Sequence, residues 1–179
     1  MELEQLLLAR RSVRHFTAEP VDPADLKKIL AAGLSVPSSK NLHSSELVVV
    51  TDPEQVHALA DCKPQFGQML REAACAVVVL GATSSHAWVE DASLTLLAML
   101  LQATELGLGS CWVQVRHMHA AALGADGKPL TSSDYLREKL GIPEGYEVEA
   151  ILALGHAAHP LRPHTLQELD WKKVHQERF

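Results

Sequence analysis

The sequence predicts an α+β fold, rich in helix around a modest sheet, and three observations carry that expectation. Two unbroken apolar runs, "ELVVVT" at 46–51 and "CAVVVLG" at 75–81, have the length and β-branched content of buried strands. Segments of helical periodicity, bounded by caps and stops, alternate with them. The 179 residues are 47% hydrophobic and 21% charged, which suits a globular chain with a substantial core, and at about 150 residues per domain one domain over 1–179 is expected.

In chain order, residues 2–9 and 23–34 read as helices. Asp22 offers an N-cap, Pro23 the first helical position, and Leu26, Ile29, Leu30 and Leu34 an apolar face. "RRSVRHFTAEPV" is therefore a connection between helices. After the strand at 46–51, "DPEQVHALAD" and "KPQFGQMLREAA" predict two short helices before the strand at 75–81. Val89 to Leu108 reads as a long helix stopped by Gly107 and Gly109, followed by a strand in "SCWVQVR". "SSDYLREKLG" predicts a helix with Ser at its cap and Gly141 as its stop, and "EVEAILALG" the last strand. A Pro- and His-rich tail leads to "LQELDWKKVHQERF", and no repeat or linker divides the chain.

The long helix is apolar nearly all round. At about 100° per residue, Ala92, Leu96, Met99, Leu100, Ala103 and Leu106 cover one broad face and Leu94, Leu97, Leu101 and Leu108 a second. Asp91, Thr95, Gln102 and Glu105 leave only a narrow polar strip. A small domain would have to wrap such a helix almost completely, so a second copy covering one face is expected; burial within its own subunit is the alternative.

The formal net charge of -6 argues against a nucleic-acid partner. No apolar run approaches the ~20 residues of a membrane span, the greasiest being interrupted by Ser93, Thr95, Gln102, Thr104 and Glu105. The opening "MELEQLLLARR" lacks the apolar run and cleavage site of a signal peptide. Cys62, Cys75 and Cys111 are odd in number and widely spaced. They suit buried thiols in a reducing compartment, so a soluble cytoplasmic protein is expected.

Arg10, Arg11 and Arg14 surround Ser12 on the first connection, a donor set that can grip a phosphate monoester bidentately. A solvated basic loop pairing with Glu2, Glu4 or Glu19 accounts for the same residues, and spacing alone does not separate the two. "VPSSKN" at 36–41 lies between a helix and a strand and is either a donor-rich loop or a simple turn. "GLGSCW" follows a helix and precedes a strand, the reverse of a dinucleotide-binding turn. His117, His119, His156, His159 and His164 match no zinc spacing, so no metal is expected, and neither G-x-S-x-G nor a P-loop occurs. A chain with a phosphate grip and no evident nucleophile points to a cofactor that carries the chemistry.

Taken together, "RRSVRHF", "PVDPADLKKILAAG", "VPSSKN", "ELVVVTD", "WVEDASLTLLAMLLQATELGLGSCWVQVR", "LREKLGIPEGYEVEAILALGH" and the closing "WKKVHQERF" resemble the FMN-dependent nitroreductase family over essentially the whole chain. The resemblance implies a central, mostly antiparallel sheet flanked by helices in an intertwined homodimer, with an FMN at each of two sites built from both chains. It implies that Arg10, Ser12 and Arg14 hold the FMN phosphate and ribityl chain, with Arg11 adding contacts. Pro37, Ser38, Ser39 and Asn41 would reach the isoalloxazine ring from the partner subunit, and Trp112, Val113 and Gln114 would meet the ring edge. Gly155 and His156 match a phosphate-proximal turn, Arg178 or Lys173 would pair with the phosphate, and Gln65 and Gln68 are ribityl candidates. The implied activity is ping-pong reduction of a small-molecule nitro or quinone acceptor by NADH or NADPH, with no side chain acting as acid or base. Where many relatives read N-x-Q-P-W, this chain has "NLHSSE" at 41–46, and "VQVRHMH" replaces a Gly-rich stretch. A different substrate shape follows, and ene reduction, dehalogenation or flavin storage stay open as alternatives.

Overall fold

In the computed structural model, which describes residues 2–179, the apolar run at 75–81 becomes β2 (Cys75–Ala82). Its alternation is hidden in sequence because both faces are covered. Ala76, Val78 and Leu80 enter one hydrophobic cluster and Cys75, Val77 and Val79 enter another on the opposite face. β6 (Tyr146–Gly155) behaves likewise, with Ile151 and Ala153 on one side and Ala150, Leu152 and Leu154 on the other. With β1 (Ser45–Val50) and β3 (Gly109–Gln114) they make a sheet in the order β1-β2-β6-β3. Every pairing is antiparallel, with Val78 opposite Ile151 and Cys111 opposite Ala153.

One face is covered by α2 (Pro23–Leu34) and α4 (Trp88–Glu105), through Ile29, Leu96, Met99 and Ala103. Asp22 caps α2 by accepting from the Ala24 amide at 2.7 Å, as its position predicts. The other face is covered by α3 (Pro53–Leu59), α5 (Ser132–Leu140) and the hairpin of β4 (His119–Leu123) and β5 (Pro129–Thr131). The first helix, α1 (Leu3–Ala9), buries none of its side chains. α4 closes in a Schellman motif: the Leu108 amide reaches the Ala103 carbonyl at 2.8 Å and the Gly107 amide the Thr104 carbonyl at 3.0 Å, with Gly107 at φ +76°.

Several expectations change. The helix expected over "KPQFGQMLREAA" shrinks to one 3-10 turn, Gln68–Arg71, because Gly67 folds back onto the Lys63 carbonyl. The cap of α5 is Thr131, one residue before the expected Ser, accepting from the Asp134 amide. The β4–β5 hairpin was not expected. On α4 the polar strip is not uniformly outward. Asp91 and Thr95 are buried, whereas Leu94 and Leu97 are 42% and 40% exposed, so the second apolar face is open at Leu94 and Leu97 while Leu108 packs into the core.

Candidate active site

The connection after α1 is not a free loop. Val13 and Phe16 turn into the core, and the Val13 amide donates to the Ser110 carbonyl at 2.9 Å. Two glycines paired across β3 and β6, Gly109 and Gly155, make the bed on which it lies. A Cβ at Gly109 would stand 2.9 Å from a Val13 methyl, and one at Gly155 would stand 3.0 Å from the Phe16 ring. Glu72 fastens the far end, accepting from the Phe16 amide at 3.1 Å with the His15 ring alongside.

This anchoring presents Arg14 and His15 to an open cavity of about 450 Å3, whose wall also includes Lys63, Gln65, Phe66, Gln68, Trp112 and Gln114. Arg14 and Lys63 line the cavity, and with Arg10 they act on the thiol of Cys111 in its wall. Burial pushes the Cys111 thiol above its ordinary pKa, while Arg14, Arg10 and Lys63 pull it down and the Ser12 hydroxyl lies within hydrogen-bonding reach. The cavity thus has a cationic end, a row of amides and a floor of aromatic and thioether carbon from Phe66, Met69 and Trp112.

Among the expected site residues, Gln114 has a fully committed amide. Its Oε1 accepts from the Trp112 indole N–H at 2.8 Å, and its Nε2 faces the buried Glu149, 3.3 Å from the carboxylate. Gln68 lines the cavity with its amide engaged by the Pro64 carbonyl and Arg71. Arg11 turns away to the Arg162 carbonyl. Val113 buries its side chain in the core. His156 stands 3.8 Å from Glu19 and its carbonyl accepts from the Thr17 amide. Lys173 and Arg178 are exposed on the tail. Lys63, Phe66, Met69 and Glu72 also line the cavity, and no motif in the sequence sets them apart.

Pro37, Ser38, Ser39 and Asn41 form a separate group. Their loop lines a different, small hollow with Asp91 and Thr95 and shares no residue with the arginine cavity of the same chain. Lys40, Asn41 and His43 all have positive φ, at 52°, 56° and 47°, a conformation that costs non-glycine residues free energy. A third cavity, of about 690 Å3 beside α5, has Arg116 and Glu147 in its wall, and each is already paired: Arg116 with Glu149 at 2.7 Å, and Glu147 with Arg137 at 3.1 Å. Among the described residues no group of three or more His, Cys, Asp or Glu side chains could hold a metal, and no helix is long and apolar enough to cross a membrane.

The Nitroreductase family model matches residues 7–63 and 63–156. The chain belongs to the nitroreductase family. Over its full length the chain superposes on an FMN-dependent nitroreductase of Clostridium difficile R20291. The two are 36% identical, with a TM-score of 0.91, over 99% of this chain and 100% of that one. A protein of Archaeoglobus fulgidus, provisionally described as an NADH dehydrogenase/NAD(P)H nitroreductase, is 33% identical over 162 residues, 87% of this chain and 85% of its own length. An NADPH-flavin oxidoreductase of Vibrio harveyi is 30% identical over 171 residues, 85% of this chain and 64% of its own length.

Proposed function

We propose that this nitroreductase-family chain is an FMN-dependent NAD(P)H oxidoreductase, acting as a cytoplasmic homodimer on nitro or quinone-type acceptors. The observation that carries the reading is the presence of Arg14 and Lys63 in the wall of one cavity with glutamine amides and apolar rings. That donor set fits FMN: guanidinium forks suit a phosphate, amides suit a hydroxylated chain, and Phe66, Met69 and Trp112 suit a planar heterocycle. The names of the Clostridium and Vibrio relatives support the same cofactor and donor.

FMN, when bound, supplies the two-electron chemistry that links a reduced nicotinamide to an electron-poor acceptor. The chain's own residues bind, orient and shield. Arg14 and Arg10 neutralise the phosphate and Ser12 adds a hydroxyl. Gln114, clamped between Trp112 and Glu149, presents a fixed edge rather than a mobile amide, so orientation costs no further entropy on binding. Phe66 and Met69 displace water from the cavity, which strengthens the field of Lys63 there.

The dimer is supported by the uncovered Leu94 and Leu97 of α4 and by a tail whose Leu166, Leu169, Trp171 and Val174 are exposed. It is supported too by the Ser38–Asn41 loop, which contributes nothing to the arginine cavity of its own chain. Three free, buried cysteines support a reducing compartment. His43, Ser44 and Ser45 stand at the positions of Gln, Pro and Trp in the family pattern that the loop resembles, which supports an acceptor of different shape.

The test is spectroscopic, then kinetic. Purified protein should carry the absorbance of oxidised flavin, and NADH or NADPH should bleach it. Initial rates at several acceptor concentrations should give parallel double-reciprocal lines. A colourless protein that takes up no added FMN would sink the reading, and intersecting lines would exclude the shared-pocket cycle.

A further inference from the structure

Asp91 is an ionisable side chain in a place where the fold alone does not require one. It sits in the first turn of α4, 3% exposed, facing the loop that joins α2 to β1. Its two oxygens serve two donors. Oδ1 accepts from the Ser39 amide at 2.8 Å and Oδ2 from the Ser44 hydroxyl at 2.7 Å. The helix dipole and two charge-assisted hydrogen bonds keep the carboxylate stable there.

The two donors bracket the left-handed segment. Lys40, Asn41 and His43 all lie between them, so one carboxylate fastens the chain just before the strained turn and just after it. Local bonds complete the clamp: the His43 amide donates to the Ser38 hydroxyl at 2.8 Å and the Ala82 amide to the Ser44 carbonyl at 2.9 Å. Strain held so tightly is a reason to ask what the held shape is for. The tip, Asn41 to His43, is exposed, and its loop lines none of the arginine cavity.

We propose that Asp91 is a positioning residue acting in trans: by clamping Ser39 and Ser44 it holds the loop in the shape that completes the FMN cavity of the partner subunit. This rests on the cofactor and dimer reading above and adds a residue to it. Asp91 touches no cofactor. It sets the shape of a loop that does so in the other chain, which makes the cofactor affinity of one subunit depend on a buried carboxylate of its neighbour.

The test is complementation between variant chains, read by FMN binding rather than by turnover. Asp91→Asn keeps the side chain's size and removes its charge, and Ser44→Ala removes one of the two donors and spares the helix. Each should weaken FMN about tenfold, the loss of one charge-assisted hydrogen bond, while the dimer persists in sedimentation. Mixed dimers of Asp91→Asn with Arg14→Ala chains should then regain one site of wild-type affinity per dimer. That site pairs the intact arginine loop of the Asp91→Asn chain with the intact clamp of its partner. Acting through its own subunit, Asp91 would leave such mixed dimers with no wild-type site, and that result overturns the proposal. So does wild-type FMN affinity in both Asp91→Asn and Ser44→Ala. A wild-type dimer that binds no FMN overturns the cofactor reading and this proposal with it. A wild-type dimer that binds FMN while the mixed dimers do not recover overturns the proposal alone.

Discussion

The Val13 amide and the Ser110 carbonyl are joined by a 2.9 Å hydrogen bond, and Ser12 bridges Ser110 in parallel. The arginine loop is thereby a one-residue strand on the outer edge of β3, not a tether between helices. Its arginines inherit the rigidity of the sheet. Guanidinium groups on a fixed backbone lose less entropy in gripping an anion than the same groups on a mobile loop.

Arg10→Ala and Arg14→Ala are each expected to remove a contact of about 1.5–3 kcal/mol, weakening FMN about ten- to a hundredfold. Arg11→Ala should do less, because that side chain bonds the Arg162 carbonyl instead. Equilibrium dialysis measures all three. Unchanged affinity in the Arg10 and Arg14 variants would return the motif to a solvated basic loop.

Gly109→Ala tests the seat of that loop. The added methyl meets Val13 side-chain carbons at 2.9, 3.0 and 3.1 Å, and overpacking of this kind costs about 1–3 kcal/mol. Urea unfolding should show a lower midpoint, and FMN should bind more weakly because the arginines are pushed outward. Val13→Ala in the same chain removes the two nearest methyls and should recover much of both losses. A Gly109→Ala protein with wild-type stability and affinity would mean that the loop does not depend on its bed.

Leu94→Glu with Leu97→Glu places two charges on the uncovered face of α4, each residue being about 40% exposed in the single chain. Surface changes in a monomer are nearly neutral, whereas charges buried in an apolar interface are costly. Sedimentation should move from twice the 19.5 kDa chain mass to that mass, with FMN released. A double variant that stays dimeric and yellow would place the interface elsewhere.

The thiols make a pH prediction. Burial pushes Cys62 from the ordinary 9.0 to about 12, and Cys75 to about 11. A raised folded-state pKa means that the native state holds its protons longer than the unfolded chain. The stabilisation is complete below pH 9.0 and is lost as pH climbs towards about 11 and 12. Native protein at pH 8 should resist iodoacetamide at Cys62 and Cys75, and stability should fall above pH 9.0. Rapid alkylation of native Cys62 would contradict its burial.

What the sequence made legible, and what it hid, follows from the range of the interactions. β2 and α4 could be read because their signals are local: a run of Val, and caps with Gly107 as the stop. The β4–β5 hairpin could not, since "HAAAL" and "PLT" lack a β-branched run and owe their pairing to packing on the 60–62 turn and α5. Arg10, Ser12 and Arg14 stand out as a cluster, whereas Lys63 reaches the same cavity from a turn that looks like any other. Asp91 seemed a surface charge because its donors, Ser39 and Ser44, lie 52 and 47 residues away. Periodicity counts positions on a helix and cannot see which side is offered hydrogen bonds.

The order β1-β2-β6-β3 has a consequence for how the chain is made. β2 and β3 are not neighbours; each pairs with β6, the last strand to be synthesised. Until residue 155 is available the four-stranded sheet lacks its centre, and of its pairings only β1–β2 can close. Contacts that join Cys75 to Leu154 span nearly half of the 179-residue chain and make the loop-closure cost of the final step high. Closure of the sheet therefore waits for β6, and the arginine cavity, which needs β3 docked on β6, is among the last parts to form.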